Sequence, residues 1–367
     1  MSNKKVTIIF PFRDRDGKRV NSSLLSLKEQ TVKDFEVIFV DYGSQEHYAK
    51  AIKKIVDSYH FANYHYVGHK GLLWNKSKAL NFGIRKAESD YIITADVDIL
   101  FKANFIETVL EHAQPQSFSL FSIGYLSQQE TQKQQLQLNL NSVKVSFEGE
   151  TFGIGLFSKA DLTNIRGLDE FFHFYGSEDE DLNLRLTLSG VKRNSVKGVL
   201  LYHQWHPRYP KKKDNQLTTL PRLDNIMRLN QRHYLLHKEQ ETTIVNTDNW
   251  GICYIKEDEL ILNNPQVIRE ISNIKSHVDH FFGEELNGYK NKIVSVVITE
   301  DPYYESFKYQ LKKLLGKQSQ PYMTMKVVND LILQKILYHY YNYNYTYSIS
   351  EDLKRIHFTI QLKPNND

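Results

Sequence analysis

Tyr91-Ile92-Ile93-Thr94-Ala95-Asp96-Val97-Asp98 is an apolar, β-branched run that ends in two carboxylates one residue apart. Such a run reads as a buried strand, here over Tyr91–Ala95. Outward from it, the first half of the chain alternates strand-like and helix-like segments. Val6–Phe10, Phe35–Val40 and Tyr64–Val67 read as strands. Ser22–Gln30, Tyr48–Tyr59 and Lys76–Lys86 carry apolar residues at helical spacing. This order predicts an α/β fold on a doubly wound, mostly parallel, Rossmann-like sheet, which binds ligands at the carboxyl ends of its strands. Asp41, Asp96 and Asp98 all fall at such ends.

Further along, residues 126–142 are rich in Gln, Asn and Ser and read as a mobile loop. Phe147–Ser158 reads as a buried strand pair, Glu180–Ser189 as a helix ended by Gly190, and Val199–His203 as a strand. His206–Asn225, with Lys211-Lys212-Lys213, is a Pro- and Lys-rich loop long enough to act as a lid. The composition changes after residue 225, so we expect one domain over 1–225 and a smaller α+β domain over 226–367. In the latter, Ile293–Thr299 and Ile356–Leu362 read as strands, and Tyr303–Leu315 and Val327–Tyr341 as helices. Six tyrosines within Tyr338–Tyr347 read as a core edge or interface in preference to a sugar-stacking surface.

Bulk properties narrow the function. A formal charge of +4 on 367 residues argues against a dedicated nucleic-acid binder. The single cysteine, Cys253, cannot form an intramolecular disulfide and fits a reducing compartment. Lys4-Lys5 precede an apolar run too short for a signal peptide, and no run approaches the ~20 apolar residues of a membrane span. The expectation is a cytoplasmic protein, with any membrane contact peripheral at the inner face; an oligomer is compatible. The absence of a P-loop, of Gly-x-Gly-x-x-Gly and of Gly-x-Ser-x-Gly disfavours an NTPase, a dinucleotide enzyme and an α/β-hydrolase.

The candidate chemistry lies in acids and histidines. In extended backbone, residues i and i+2 face the same way, so Asp96 and Asp98 can address one divalent cation. Glu178-Asp179-Glu180-Asp181 follows a small-residue turn, Gly176-Ser177. One of these acids can take a proton, while helix-dipole stabilisation of a first turn explains the same cluster without chemistry. His203 and His206 follow a strand and offer a ligand for a borderline metal such as Mn²⁺. Asp41 can accept bonds from a base imide or a ribose hydroxyl. Arg13 and Arg15 can meet phosphate or base edges. A metal–diphosphate site plus a base is the minimum set for transfer from a nucleotide-activated donor.

Taken together, these motifs resemble metal-dependent inverting glycosyltransferases of the GT-A fold. The chain is similar to glycosyltransferase family two and especially to its β-1,4-galactosyltransferase and N-acetylgalactosaminyltransferase branch. Pro11-Phe12-Arg13-Asp14-Arg15 resembles that branch's Pro-Phe-Arg-Asn-Arg stretch, and Trp74–Asn81 its Phe-Asn-Arg-Ala-Lys-Leu-Leu-Asn segment. Asp96-Val97-Asp98 matches the metal motif. Phe152–Lys159, Arg166–Asp169 and Tyr175–Asp181 resemble later motifs in the same order. The resemblance covers about residues 6–225 and makes that the catalytic domain.

It implies Asp98 as main metal ligand for Mn²⁺ or Mg²⁺. Asp96 holds the donor ribose or the ion's water shell, and His203 is the downstream metal ligand, with His206 the alternative. It implies Asp179 as base, Glu178 as acceptor ligand, and Pro11, Phe12, Arg13, Arg15 and Asp41 as uridine contacts, with Lys76 near the diphosphate. Tyr175 stands where the family has an acceptor-side tryptophan, and Ser177 where it has a second glycine. Thr151 replaces a bulky tyrosine of galactose-specific members, which favours UDP-GalNAc alongside UDP-Gal. The implied acceptor is a glycan or lipid-linked saccharide in surface polysaccharide synthesis. A sugar-nucleotidyltransferase would need a glycine-rich triphosphate loop that Pro11–Arg15 lacks. A non-catalytic nucleotide- or sugar-binding protein would not need the intact acids.

Overall fold

A computed structural model describes residues 6–207, 213–317 and 320–363; Lys4, Lys5, Lys211 and Lys212 lie outside them. The chain forms two compact units that interleave along the sequence. The first takes the chain up to Gly68, then Trp74 to beyond His203, and Met227–Cys253. The second takes His69–Leu73, the segment that ends at Ile226, and everything from Tyr254 on.

The first unit holds strands β1 (Val6–Phe12), β2 (Phe35–Tyr42), β3 (Ala62–Val67), β4 (Tyr91–Thr94), β5 (Ile99–Phe101), β6 (Ser117–Leu126), β7 (Val145–Ser158) and β8 (Lys192–His203). Between them run helices α1 (Gly17–Lys28), α2 (Glu46–Val56), α3 (Lys76–Lys86), α4 (Phe105–His112), α5 (Gln128–Leu136), α6 (Lys159–Asn164), α7 (Glu178–Leu188) and α8 (Ile226–Glu239). The strands make one eight-stranded sheet in the order β3-β2-β1-β4-β7-β6-β8-β5. β1 pairs parallel with β2 and β4, β2 with β3, and β6 with β8. β7 runs antiparallel to β4 and β6, as does β5 to β8. The expected doubly wound α/β sheet is therefore present as a mixed sheet, with four parallel and three antiparallel pairings among the described residues.

Every residue of β1 is buried, as a central strand covered on both faces requires. Phe10 touches Phe39 and Phe101, and Phe101, Phe105 and Phe121 continue the contact at 5.1 and 5.2 Å between ring centroids. Each such ring contributes roughly 1.5–3 kcal/mol on full burial. This aromatic spine braces the sheet beneath the strand ends that carry the acids.

The second unit is built on a four-stranded sheet, β9 (Val267–Ser272), β10 (Ile293–Thr299), β11 (Asn344–Ile349) and β12 (Arg355–Gln361), in the order β11-β12-β10-β9. Tyr340, Tyr345 and Tyr347 are buried in it, whereas Tyr338 is exposed. Tyr347 donates to Asn329 Oδ1 at 2.7 Å, which satisfies its buried hydroxyl.

Two expectations need correction. Phe147–Ser158 belongs to one long strand, β7, not a strand pair. Residues 126–142 are not a loop throughout, because they contain α5. Apolar periodicity gives no sign of that helix, since polar Glu130, Thr131 and Gln134 are its buried residues. Ser127 caps it by accepting from Glu130 N at 3.1 Å, and Gln134 donates to Glu130 Oε1 at 2.7 Å. Replacing Ser127 with Ala should cost about 1 kcal/mol in denaturant unfolding and speed amide exchange in α5. An unchanged unfolding midpoint would show the cap to be dispensable.

Candidate active site

Two elements deliver three carboxylates to one ammonium carried by a third. Asp96 follows β4, while Glu178 and Asp179 open α7. Lys76 is the first residue of α3, and its Nζ lies 3.4 Å from Asp96 Oδ1, 3.5 Å from Glu178 Oε1 and 3.4 Å from Asp179 Oδ2. The sequence around Lys76 explains its fixed place. Asn75 caps α3 by accepting from Lys78 N at 2.8 Å, and its amide donates to Glu170 O at 2.7 Å. Lys78 pairs with Glu170 inside the protein at 3.4 Å. Asn81 clasps Leu168 by both its N–H and its C=O, each at 2.8 Å. The Trp74–Asn81 motif thus ties α3 to the Arg166–Glu170 turn and leaves Lys76 to face the acids.

Burial opposes the charge on Lys76, but Asp179, Asp96 and Glu178 outweigh it and hold the ammonium well above its usual range. Asp179 shows the opposite balance. Burial drives its carboxyl up to about 7, helped by Glu178 and Asp96 and resisted by Lys76. Its carboxylate lies so close to Gly153 on β7 that a Cβ there would collide with it. Antiparallel pairing of Thr94 with Gly155 carries Gly153 past the end of β4, and Thr94 Oγ1 donates to Gly153 O at 3.0 Å.

Asp98 assembles a second group. The register Ile99↔His203 in the β5–β8 pair sets Asp98 beside the end of β8. His203 Nε2 lies 3.8 Å from Asp98 Oδ1 and His206 Nε2 3.2 Å from Oδ2. One ligand atom from each of the three lies within 4.8 Å of the others. Burial opposes ionisation of Asp98, but the bond to His206 and the charges of His203, His206 and Arg19 prevail and hold it below the usual carboxylate range. Asp98 Oδ1 is buried without a hydrogen-bond partner. A buried carboxylate oxygen with no donor, beside two imidazoles, fits a divalent cation. Helix α5 steadies this segment, because Trp205 N donates to Thr131 Oγ1 at 2.7 Å and Gln135 to Gln204 Oε1 at 3.0 Å.

The other expected donor residues are placed differently. Phe12 points into the core and packs on Phe39 at 5.4 Å, and Pro11 is buried in the β1–β2 ladder. Asp41 is fully buried and accepts from Ser44 N at 3.0 Å and Tyr64 OH at 2.7 Å. Its carboxyl is raised by burial, partly offset by those bonds. Arg13 is half-buried and Arg15 exposed. Between them, Asp14 ties two strand-end loops together through Ser44 Oγ and Gln45 N. Phe12 and Asp41 thus meet core and strand-end partners. Sequence reasoning missed Arg19, whose guanidinium is 3.9 Å from Asp98, whereas Gly153 carried a sign of close backbone approach.

At the start of α7, Ser177 does not cap through its side chain and has a left-handed φ of 67°. Instead Glu178 Oε2 accepts from Gly176 N at 3.0 Å. Tyr175 is 47% exposed. Thr151 is buried and its hydroxyl bonds both polar groups of Ile154 backbone, at 3.2 and 3.3 Å. A glycine at 177 relieves the left-handed strain, so Ser177→Gly should stabilise by roughly 0.5–1 kcal/mol, read as a higher denaturant midpoint. A lower midpoint would show that the Ser177–Glu180 bond matters more.

Residues 7–163 match the model of glycosyl transferase family 2, and residues 134–209 that of the N-terminal domain of galactosyltransferase. An uncharacterised glycosyltransferase of Rickettsia bellii is 28% identical over 152 residues, 41% of this chain and 21% of that protein. A chondroitin synthase of Escherichia coli is 23% identical over 243 residues, 55% of this chain and 35% of that protein. The chain thus spans a fifth to about a third of these relatives. Among solved structures, S. aureus TarS 1-349 is 15% identical with TM-score 0.42, over 77% of this chain and 74% of that one. The Pyrobaculum calidifontis mannosyltransferase PcManGT, solved with GDP-Man and Mn²⁺, is 15% identical with TM-score 0.42, over 57% and 60%. Together the two family matches cover the segments that carry Lys76, Asp96, Asp98, Asp179 and His203, so the chain is similar to the family-2 and galactosyltransferase-like glycosyltransferases.

Proposed function

We propose that the protein is an inverting, UDP-sugar-dependent glycosyltransferase with Asp179 as its base. The observation that carries this reading is the setting of Asp179. It is a carboxylate with raised proton affinity, fixed between Lys76 and a glycine backbone, at the helix start where an acceptor would be met. A base is most useful when its proton affinity matches the working pH. In the reaction, the acceptor hydroxyl gives its proton to Asp179 and forms a bond to the anomeric carbon, while the bond from that carbon to the diphosphate breaks on the opposite face. Glu178, anchored by Gly176 N, orients the acceptor beside the half-exposed Tyr175. Lys76 holds the acids together and presents positive charge toward the donor.

Asp98, His203 and His206 would hold Mn²⁺ or Mg²⁺, with Asp96 close by on the same strand-end loop. When bound, that cation neutralises charge on the leaving diphosphate. The small Thr151, turned back on Ile154, favours Gal or GalNAc as the transferred sugar. Likeness to a chondroitin synthase supports a glycan acceptor, with a lipid-linked saccharide in surface polysaccharide synthesis as the related form. No helix among the described residues is long and apolar enough to cross a membrane.

The first test is UDP release from a panel of UDP-sugars with and without Mn²⁺, given a simple saccharide acceptor. Metal-dependent release with UDP-Gal or UDP-GalNAc is expected, and failure to bind UDP would overturn the reading. Asp179→Asn should lower kcat by about 10²–10⁴ with UDP affinity nearly kept. Unchanged turnover would remove Asp179 from the role of base. Gly153→Ala should lower kcat in the same direction by displacing that carboxylate. Because Asp179 must be unprotonated to accept, kcat should rise with pH and level off above about 7. An acid limb far below that would mean another group is the base.

A further inference from the structure

A second histidine–carboxylate cluster lies in the first unit, away from Lys76 and Asp98 in sequence. Helix α8 carries His233 and His237 four residues apart, so both rings project from one face. They meet Asp169 on the Arg166–Glu170 turn. Asp169 Oδ2 lies 2.8 Å from His233 Nε2 and 3.9 Å from His237 Nε2, and one ligand atom from each residue lies within 4.8 Å of the others. Asp169 Oδ1 is already used, accepting from Phe171 N at 2.9 Å.

The surroundings orient this trio. His237 Nδ1 donates to Asp181 Oδ1 at 2.6 Å, which places the ring proton on Nδ1 and leaves the Nε2 lone pair facing Asp169. Asp181 is itself held by Arg185 Nε at 2.7 Å, and both are fully buried. A carboxylate behind an imidazole is the usual backing for a metal-bound histidine. Phe171 stacks on His233 at 3.7 Å between centroids and fixes the second ring. His233 keeps 21% of its side chain exposed, which leaves a way in for an ion and a water. With neutral imidazoles, the buried charges of Asp169, Asp181 and Arg185 leave one negative charge uncompensated.

We propose that Asp169, His233 and His237 form a zinc site distinct from the Asp98 group. Two imidazoles and one carboxylate suit Zn²⁺, with water as fourth ligand. Bond lengths of about 2.0–2.1 Å set tetrahedral ligands about 3.3 Å apart. The separations of 2.8 and 3.9 Å straddle that spacing, so sub-ångström shifts complete the geometry. The ion clamps α8 to the Arg166–Glu170 turn and, through Asp181, to α7, whose first residues are Glu178 and Asp179. Its competitor is an ordinary His–Asp hydrogen bond, with a proton where the metal would sit.

The test is zinc content of the full chain by mass spectrometry after zinc loading and removal of free metal. The expected result is two equivalents per chain. His233→Gln should lose one, and the double variant Asp98→Asn, His206→Gln should lose the other. Cobalt loaded into that double variant should give the visible absorption of a four-coordinate ion, and adding His233→Gln should abolish it. A cooperative thermal transition in each variant checks that it is folded; if His237→Gln fails to fold, the more exposed His233 carries the same test. Zinc absent from the Asp98→Asn, His206→Gln variant, or retained there after His233→Gln, would overturn the proposal.

Discussion

One ammonium among three carboxylates organises the candidate site. Asp96 meets the neighbours Glu178 and Asp179 from a distant part of the chain, and without Lys76 their mutual repulsion would force them apart or neutralise them. Lys76 cannot satisfy all three, because one positive charge faces three negative ones. The imbalance falls on Asp179, whose affinity for a proton rises to about 7. The same crowding that makes the cluster costly to bury therefore gives one member the proton affinity of a base near neutral pH.

Much of the surrounding polar network is architecture. Asn75 caps, Lys78 pairs with Glu170, and Asn81 grips Leu168, all out of water. Buried polar groups of this kind are costly when left unpaired and give a single arrangement when paired. Here they fix the start of α3 against the turn before α7. Lys76 and Asp179 thereby come from rigid elements.

The alternation of strands and helices in the first half was readable because apolar runs in parallel strands are continuous and strongly bounded. The acids at strand ends were readable for the same reason, since a strand that stops at a carboxylate marks a sheet edge where ligands bind. Helix α5 was not, because its buried face is Glu130, Thr131 and Gln134 and its stability rests on caps and side-chain bonds. Phe12 shows a second limit: its ring packs on Phe39 in the core, and which face a strand residue takes depends on sheet register as well as on motif position. His206 was only the alternative to His203, yet the structure sets both against Asp98.

That register has a consequence for how the protein comes into being. Asp98 and His203 are far apart in sequence, joined by a strand pair of only three rungs, Ile99–Phe101 with Leu201–His203. Non-local pairing of this kind carries a loop-closure entropy cost and is slow to form. During synthesis the chain can close its parallel half, β1 to β4, before β8 has left the ribosome. The Asp98–His203–His206 group can exist only once β8 has docked. A cation held by that group, as proposed above, would bind only the chain in which β8 has docked and would stabilise that strand's place in the sheet.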